Sequence, residues 1–199
     1  YGDPDVVSDY MLDDDVLASI GLYAEGNDIA VSDTSITGWN DAGAWMVSYN
    51  AAGGTVSFTD TTFENNGRRG LLLYALTATA SNLSVHDLRQ VEEVDPSESY
   101  YVDFPAAAAV EMSSMLWTGG EVSGNEGWGI SNVESDVAVS GVTFAGNHWS
   151  AFIDFMGSSQ ITGNTFTASE AATMNLPSIW VYQNTATVIQ DNLFTANAA

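Results

Sequence analysis

Few side chains in this chain can do proton or metal chemistry. The three cations are Arg68, Arg69 and Arg89, and there is neither Lys nor Cys. The imidazoles are His86 and His148. Against them stand 26 carboxylates, for a formal net charge of −23 over 199 residues. Without Cys there is no thiol nucleophile, disulfide or zinc-thiolate site. Three cations cannot neutralise a nucleic-acid backbone, so nucleic acid is excluded as a partner. An anionic bilayer surface is disfavoured for the same reason. No apolar run reaches the length of a membrane span, so no membrane insertion is expected.

The carboxylates suggest two chemistries. Glycoside hydrolysis needs two of them flanking one bond. Asp13, Asp14 and Asp15 are contiguous, and neighbours on an extended chain point to opposite faces. Glu111 and Asp154 are further acids whose pairing the sequence does not give. His86 and Asp87 are adjacent, which is poor geometry for a relay, and no Ser stands in a nucleophile-elbow context. No catalytic residue is assigned. Calcium is better served, because it takes oxygen ligands from acidic turns. Asp33 and Asp60 occupy one column of the repeat described below and are the candidate metal ligands, with calcium the candidate cofactor. The 91–103 segment is a second acidic candidate. There is no EF-hand spacing and no glycine-rich calcium nonapeptide. The negative excess favours divalent or saline surroundings, and salt should stabilise the fold by screening repulsion.

Binding is the remaining chemistry. Met46, Leu72, Tyr74, Ile153, Phe155, Trp180 and Tyr182 flank a column of inward positions. Strict alternation places them outward, as an apolar and aromatic stripe that can stack sugar rings or bury against another domain. Arg68 and Arg69 follow Asn66 beside an apolar strand. They can face an acidic sugar or pair locally with acids. The candidate ligand contacts are therefore Tyr74, Phe155, Trp180, Tyr182, Arg68 and Arg69.

The elements that must position these residues form a repeat. Seven segments share an apolar residue, four mostly small or polar residues, and a second apolar residue. They begin at Val31, Phe58, Leu83, Trp117, Val139, Ile161 and Ile189. Asp33, Asp60, Gly119, Gly141, Gly163 and Asp191 recur two places into the repeat. Asp, Asn or Gly at a fixed offset means a fixed turn. Asn66, Asn125, Asn147 and Asn197 follow the second apolar residue by three places and can stack their amides from coil to coil. The period is too short for two helices, and Val, Ile, Phe and Thr alternate with polar residues as strands do. Short strands stacked about 4.8 Å apart are the reading.

Ile161-Thr-Gly-Asn-Thr-Phe166 and Val139-Ser-Gly-Val-Thr-Phe144-Ala-Gly-Asn147 resemble the repeats of right-handed parallel β-helices of the pectate-lyase-like superfold. The resemblance implies an all-β right-handed parallel β-helix of about seven coils over residues 28–199, interrupted by an acidic loop at about 91–103. Residues 1–27 form an N-terminal cap or partial coil. Such helices include pectin and alginate enzymes, phage tailspikes, autotransporter passengers and surface proteins with no known activity. The lyases among them use carboxylate-bound calcium and an Arg or Lys base. The expectation is a non-catalytic secreted or cell-surface stalk, adhesin or carbohydrate-contacting rod. A calcium-assisted polysaccharide lyase or hydrolase is the alternative. Polysaccharide or the rest of its own chain is the expected partner. The setting expected is extracellular and bacterial, marine or halophilic. The chain opens at Tyr1 and stops within a repeat, so it reads as a piece of a longer protein.

Overall fold

The structure, a computed structural model, describes residues 20–26, 28–49, 53–89, 105–167 and 176–195. These residues wind about six turns of a parallel β-solenoid without a helix. Each turn presents three faces. Face A stacks Ile20–Glu25, Ala42–Val47, Arg69–Tyr74, Ala106–Glu111, Trp128–Val133, Phe152–Phe155 and Ile179–Tyr182, in chain order. Face B stacks Ile29–Ser32, Gly54–Thr59, the first halves of Leu76–His86 and Ser114–Ser123, then Asp136–Ser140, Ser158–Thr162 and Ala186–Gln190. Face C stacks Ser35–Thr37, Thr62–Glu64, the second halves of those two long strands, then Thr143–Ala145, Thr165–Thr167 and Leu193–Thr195.

Alternation sets what lies inside. Val31, Phe58, Ala80, Trp117, Val139, Ile161 and Ile189 form one inward column. Ile36, Phe63, Val85, Val122, Phe144, Phe166 and Phe194 form another. Phe144, Phe166 and Phe194 stack nearly parallel, with ring centroids 4.8 Å apart at both steps. That is the strand spacing itself. Full burial of such a side chain contributes about 1.5–3 kcal/mol. Six of the seven repeat copies fall where the sequence places them. The third does not: it is Ala80-Ser-Asn-Leu-Ser-Val85, three residues earlier than Leu83–Leu88. Leu83 is large and buried, and it mimicked the column that the small Ala80 in fact fills.

Three corners close each turn, and a residue with positive φ recurs at each corner in most of the described turns. Between faces B and C the series is Asp33, Asp60, Asn82, Gly119, Gly141, Gly163 and Asp191, with φ from 48° to 68°. Gly takes this conformation without penalty, and Asn and Asp tolerate it best among the rest. The recurring turn column therefore has a backbone cause. Between faces C and A the series is Gly38, Asn65, Asp87, Gly124 and Gly146. Between faces A and B it is Ala75, Met112, Glu134, Met156 and Gln183, types that carry no turn signal. Their N–H groups donate to the next turn, as Met112 does to Val133 and Met156 to Tyr182.

Ile20–Glu25 pairs in parallel with Ala42–Val47, so the rod includes residues ahead of 28. Residues 1–19, the 91–103 segment and Asn197 lie outside the described residues. At the other end the inward columns finish half exposed, with Ile189 at 49% and Phe194 at 50%. No described helix is long and apolar enough to cross a membrane.

Candidate functional site

Outward positions on face A fall into columns. One runs Tyr23, Trp45, Leu72, Ala109, Ser131, Ile153, Trp180. Another runs Glu25, Val47, Tyr74, Glu111, Val133, Phe155, Tyr182. Over the early turns this outer surface is a second buried cluster of Ile20, Ala42, Trp45, Val47, Leu72, Ala106, Ala109 and Trp128. Trp149 and Leu176 pack against it. The doubly apolar strand around Leu72 thus finds its cover within the chain.

The last turns differ. Trp180 is 40% exposed and Tyr182 46% exposed, two residues apart on the same side of one strand. Tyr182 stacks on Phe155 at 5.3 Å and 8°. Trp180 meets Trp128 edge-on at 6.1 Å, and Trp128 meets Trp149 at 5.1 Å. The rings of Tyr182 and Trp180 are braced from one side and open on the other. Such a platform offers the faces of rigid aromatic rings.

The structure gathers Phe155, Trp180 and Tyr182, but not Tyr74. Tyr74 shares the Phe155 column three turns earlier, about 14 Å away at strand spacing. Burial and the neighbouring Glu111 push its phenol pKa up, so it stays neutral. Met46 is not part of an outer stripe. It is fully buried, in register with Leu73, and faces the core. Arg68 Nε donates to Asp41 Oδ1 at 2.8 Å, a local ion pair. Arg69 is only 4% exposed on face A, between Ala42 and Ala106 in its column.

Asp33 and Asp60 sit on successive turns, where the corner requires positive φ. Asp60 Oδ1 accepts from Asn82 Nδ2 at 2.7 Å. Glu111 and Asp154 do not pair: Glu111 is in an outward column, while Asp154 is fully buried on the inward side. Asp154 Oδ1 accepts from Asn132 Nδ2 at 2.9 Å, and Oδ2 accepts from Asn184 Nδ2. Burial pushes its carboxyl pKa up, and the surrounding donors only partly offset this. Asp154 is a fully buried acid of the solenoid interior, in register with the buried amide of Asn132.

One group on face C was not foreseen. Glu64, His86 and Asp87 bring their ligand atoms within 4.8 Å of one another, and among the described residues no other three metal-ligating side chains meet this way. Glu64 and His86 are register partners on neighbouring turns. His86 Nδ1 lies 2.9 Å from Asp87 Oδ2. Sequence adjacency argued against that contact, but the left-handed backbone at Asp87, φ 57°, turns its carboxylate back toward the ring. The signal that finds the trio is Asn82. Taken as the corner residue, it shifts the third repeat by three places and aligns His86 with Glu64.

The fold and these surfaces define a parallel β-solenoid with an aromatic platform near one end. No protein-family model matches the chain, and no curated protein or solved structure is significantly similar to it.

Proposed function

We propose that this is a non-catalytic, secreted or cell-surface solenoid that contacts neutral polysaccharide through the exposed rings of Trp180 and Tyr182. The observation that carries the reading is the braced platform: Tyr182 stacked on Phe155, with Trp180 beside it. Flat exposed rings on rigid strands suit the apolar faces of sugars. The net charge of −23 repels polyuronates, which is why the sugar is taken as neutral. Of the two Arg residues weighed as a lyase base, Arg68 is paired with Asp41 and Arg69 is buried, which weakens that reading. The sense of winding is taken as right-handed, as parallel crossover connections are, which fits the pectate-lyase-like type. The acidic surface fits an extracellular, saline setting.

A second reading is a spacer whose open end stacks on further solenoid, either the rest of its own chain or another. The half-exposed Ile189 and Phe194 favour it. A panel of soluble neutral and acidic polysaccharides separates the readings, scored for binding and for chain cleavage, with calcium and with chelator. Binding to neutral polymers without cleavage is expected. Cleavage that chelator abolishes establishes the calcium-assisted enzyme instead. No interaction leaves the spacer.

A further inference from the structure

We propose that Glu64, His86 and Asp87 bind one divalent transition-metal ion, at a site separate from the aromatic platform. Glu64 and His86 project side by side from face C because they are cross-strand partners on neighbouring turns. The corner at Asp87 adds a second carboxylate, so one nitrogen and two carboxylate groups converge within 4.8 Å. Bonds of about 2.0–2.2 Å to such ligands let one ion join all three after small rotations of exposed side chains.

The electrostatics favour a cation. Two carboxylates are held together, and among the described residues no Arg makes an ion pair with either. The nearest Arg in sequence, Arg89, donates instead to the Trp39 carbonyl at 3.1 Å. Glu126 adds a further carboxylate beside Asp87, in the hollow those residues share with Leu88, Arg89 and Gly124, so two acids there face one guanidinium. The net charge of −23 raises the local concentration of cations over the whole surface.

The surroundings leave room. The neighbours of Glu64 and His86 along the column are Thr37, Ser123 and Ala145, all small. The corner position after Asp87 is Gly124. A Cβ there would lie 2.5 Å from Asp87 Oδ1, so its absence lets that carboxylate take its place. Three ligands from two turns leave the remaining coordination positions to water, the open form of a zinc site. An imidazole with two carboxylates suits zinc and its neighbours. Calcium takes six to eight oxygens and gains nothing from the imidazole.

The test uses tag-free protein and Zn2+ alone, followed by isothermal titration calorimetry. One saturable equivalent is expected. His86→Ala and the near-isosteric Glu64→Gln should each weaken it by about tenfold or more, the loss expected when one of three ligands is removed. His148→Ala should bind as wild type does, and excess Ca2+ should not compete. Far-UV circular dichroism checks that the variants remain folded. Absence of a saturable equivalent overturns the proposal. So does binding that His86→Ala and Glu64→Gln leave unchanged, which is diffuse condensation on an acidic surface.

Discussion

Asn125 Nδ2 donates to Asn147 Oδ1 at 2.8 Å across 22 residues of sequence. The bond belongs to a ladder that locks one turn to the next. Asn125 Oδ1 accepts the Leu88 N–H, and its Nδ2 also reaches the Val85 carbonyl. Asn147 Nδ2 repeats the pattern on the Val122 carbonyl, and Asn66 Nδ2 on that of Ile36. Asn66, Asn125 and Asn147 are all buried, so each amide serves buried backbone groups in place of water. Asn125→Ala strands the Leu88 N–H and the Val85 carbonyl. A loss of about 2–4 kcal/mol is expected in urea unfolding, since each unsatisfied buried group costs about 1–3 kcal/mol. A loss below about 0.5 kcal/mol would show that the ladder is not tight in solution.

Asp33 and Asp60 separate a backbone role from a calcium role. Later turns place Gly at the same corner, at Gly119, Gly141 and Gly163. Asp60→Gly should therefore be tolerated within about 1 kcal/mol, the saving in left-handed strain offsetting the lost bond to Asn82. Thermal melts of wild type and variant, each with and without calcium, check this. If Asp60 ligates calcium, the variant alone loses a calcium-dependent rise in melting temperature.

Asp154 makes stability depend on pH in an uncommon direction for a carboxylate. Burial raises its folded-state pKa, so the fold favours the protonated form. That contribution is fully present below the unfolded value of about 3.9 and is lost as pH rises through the higher folded value. Asp154→Asn removes the buried charge and keeps the shape. The variant should melt a few degrees higher at pH 7, at about 2–4 °C per kcal/mol for a chain this long. The gap should close toward pH 4. A variant that melts lower at pH 7 would mean that the donors from Asn132, Asn184 and Gly157 already compensate the charge.

The open end has its own signature. Phe166 is buried between two stacked rings, while Phe194 caps the stack and is half exposed. Phe166→Ala should cost about 3–5 kcal/mol, as core aromatic truncations do. Phe194→Ala should cost about 1 kcal/mol. Equal losses in denaturant unfolding would show that the terminal turn is covered in solution, and a dependence of Phe194→Ala on protein concentration would identify the cover as a second copy.

How much of this is legible in sequence follows from which residues repeat. Large inward residues such as Phe58, Phe144 and Ile161 announce their columns, and Gly or Asp announces the corner between faces B and C. The parallel solenoid follows from those two signals. Ala80 is too small to announce its column, so the third repeat slipped and concealed the approach of His86 to Glu64. The corner between faces A and B was invisible, because hydrogen bonds to the next turn hold Met112 and Met156 there against their own preference. On face A, alternation correctly turned Trp180 and Tyr182 outward. Met46 was misplaced because strands apolar on both sides, such as Ala42–Val47, give no alternation to count. Which outward residues are covered depends on packing by distant residues such as Trp149 and Leu176, which no local pattern encodes.

The measurement that tests the central claim most directly is binding of soluble neutral polysaccharides to wild type, Trp180→Ala and Tyr182→Ala, followed by affinity electrophoresis. Both side chains are exposed on the last turn, so the variants should keep the wild-type fold. Wild type should be retarded by at least one neutral polymer, with no shortening of that polymer. Each variant should bind it about tenfold more weakly, a loss of about 1.4 kcal/mol, as expected when a stacked aromatic ring is removed. Retardation that both variants share with wild type would contradict the account, as would its absence across the whole panel.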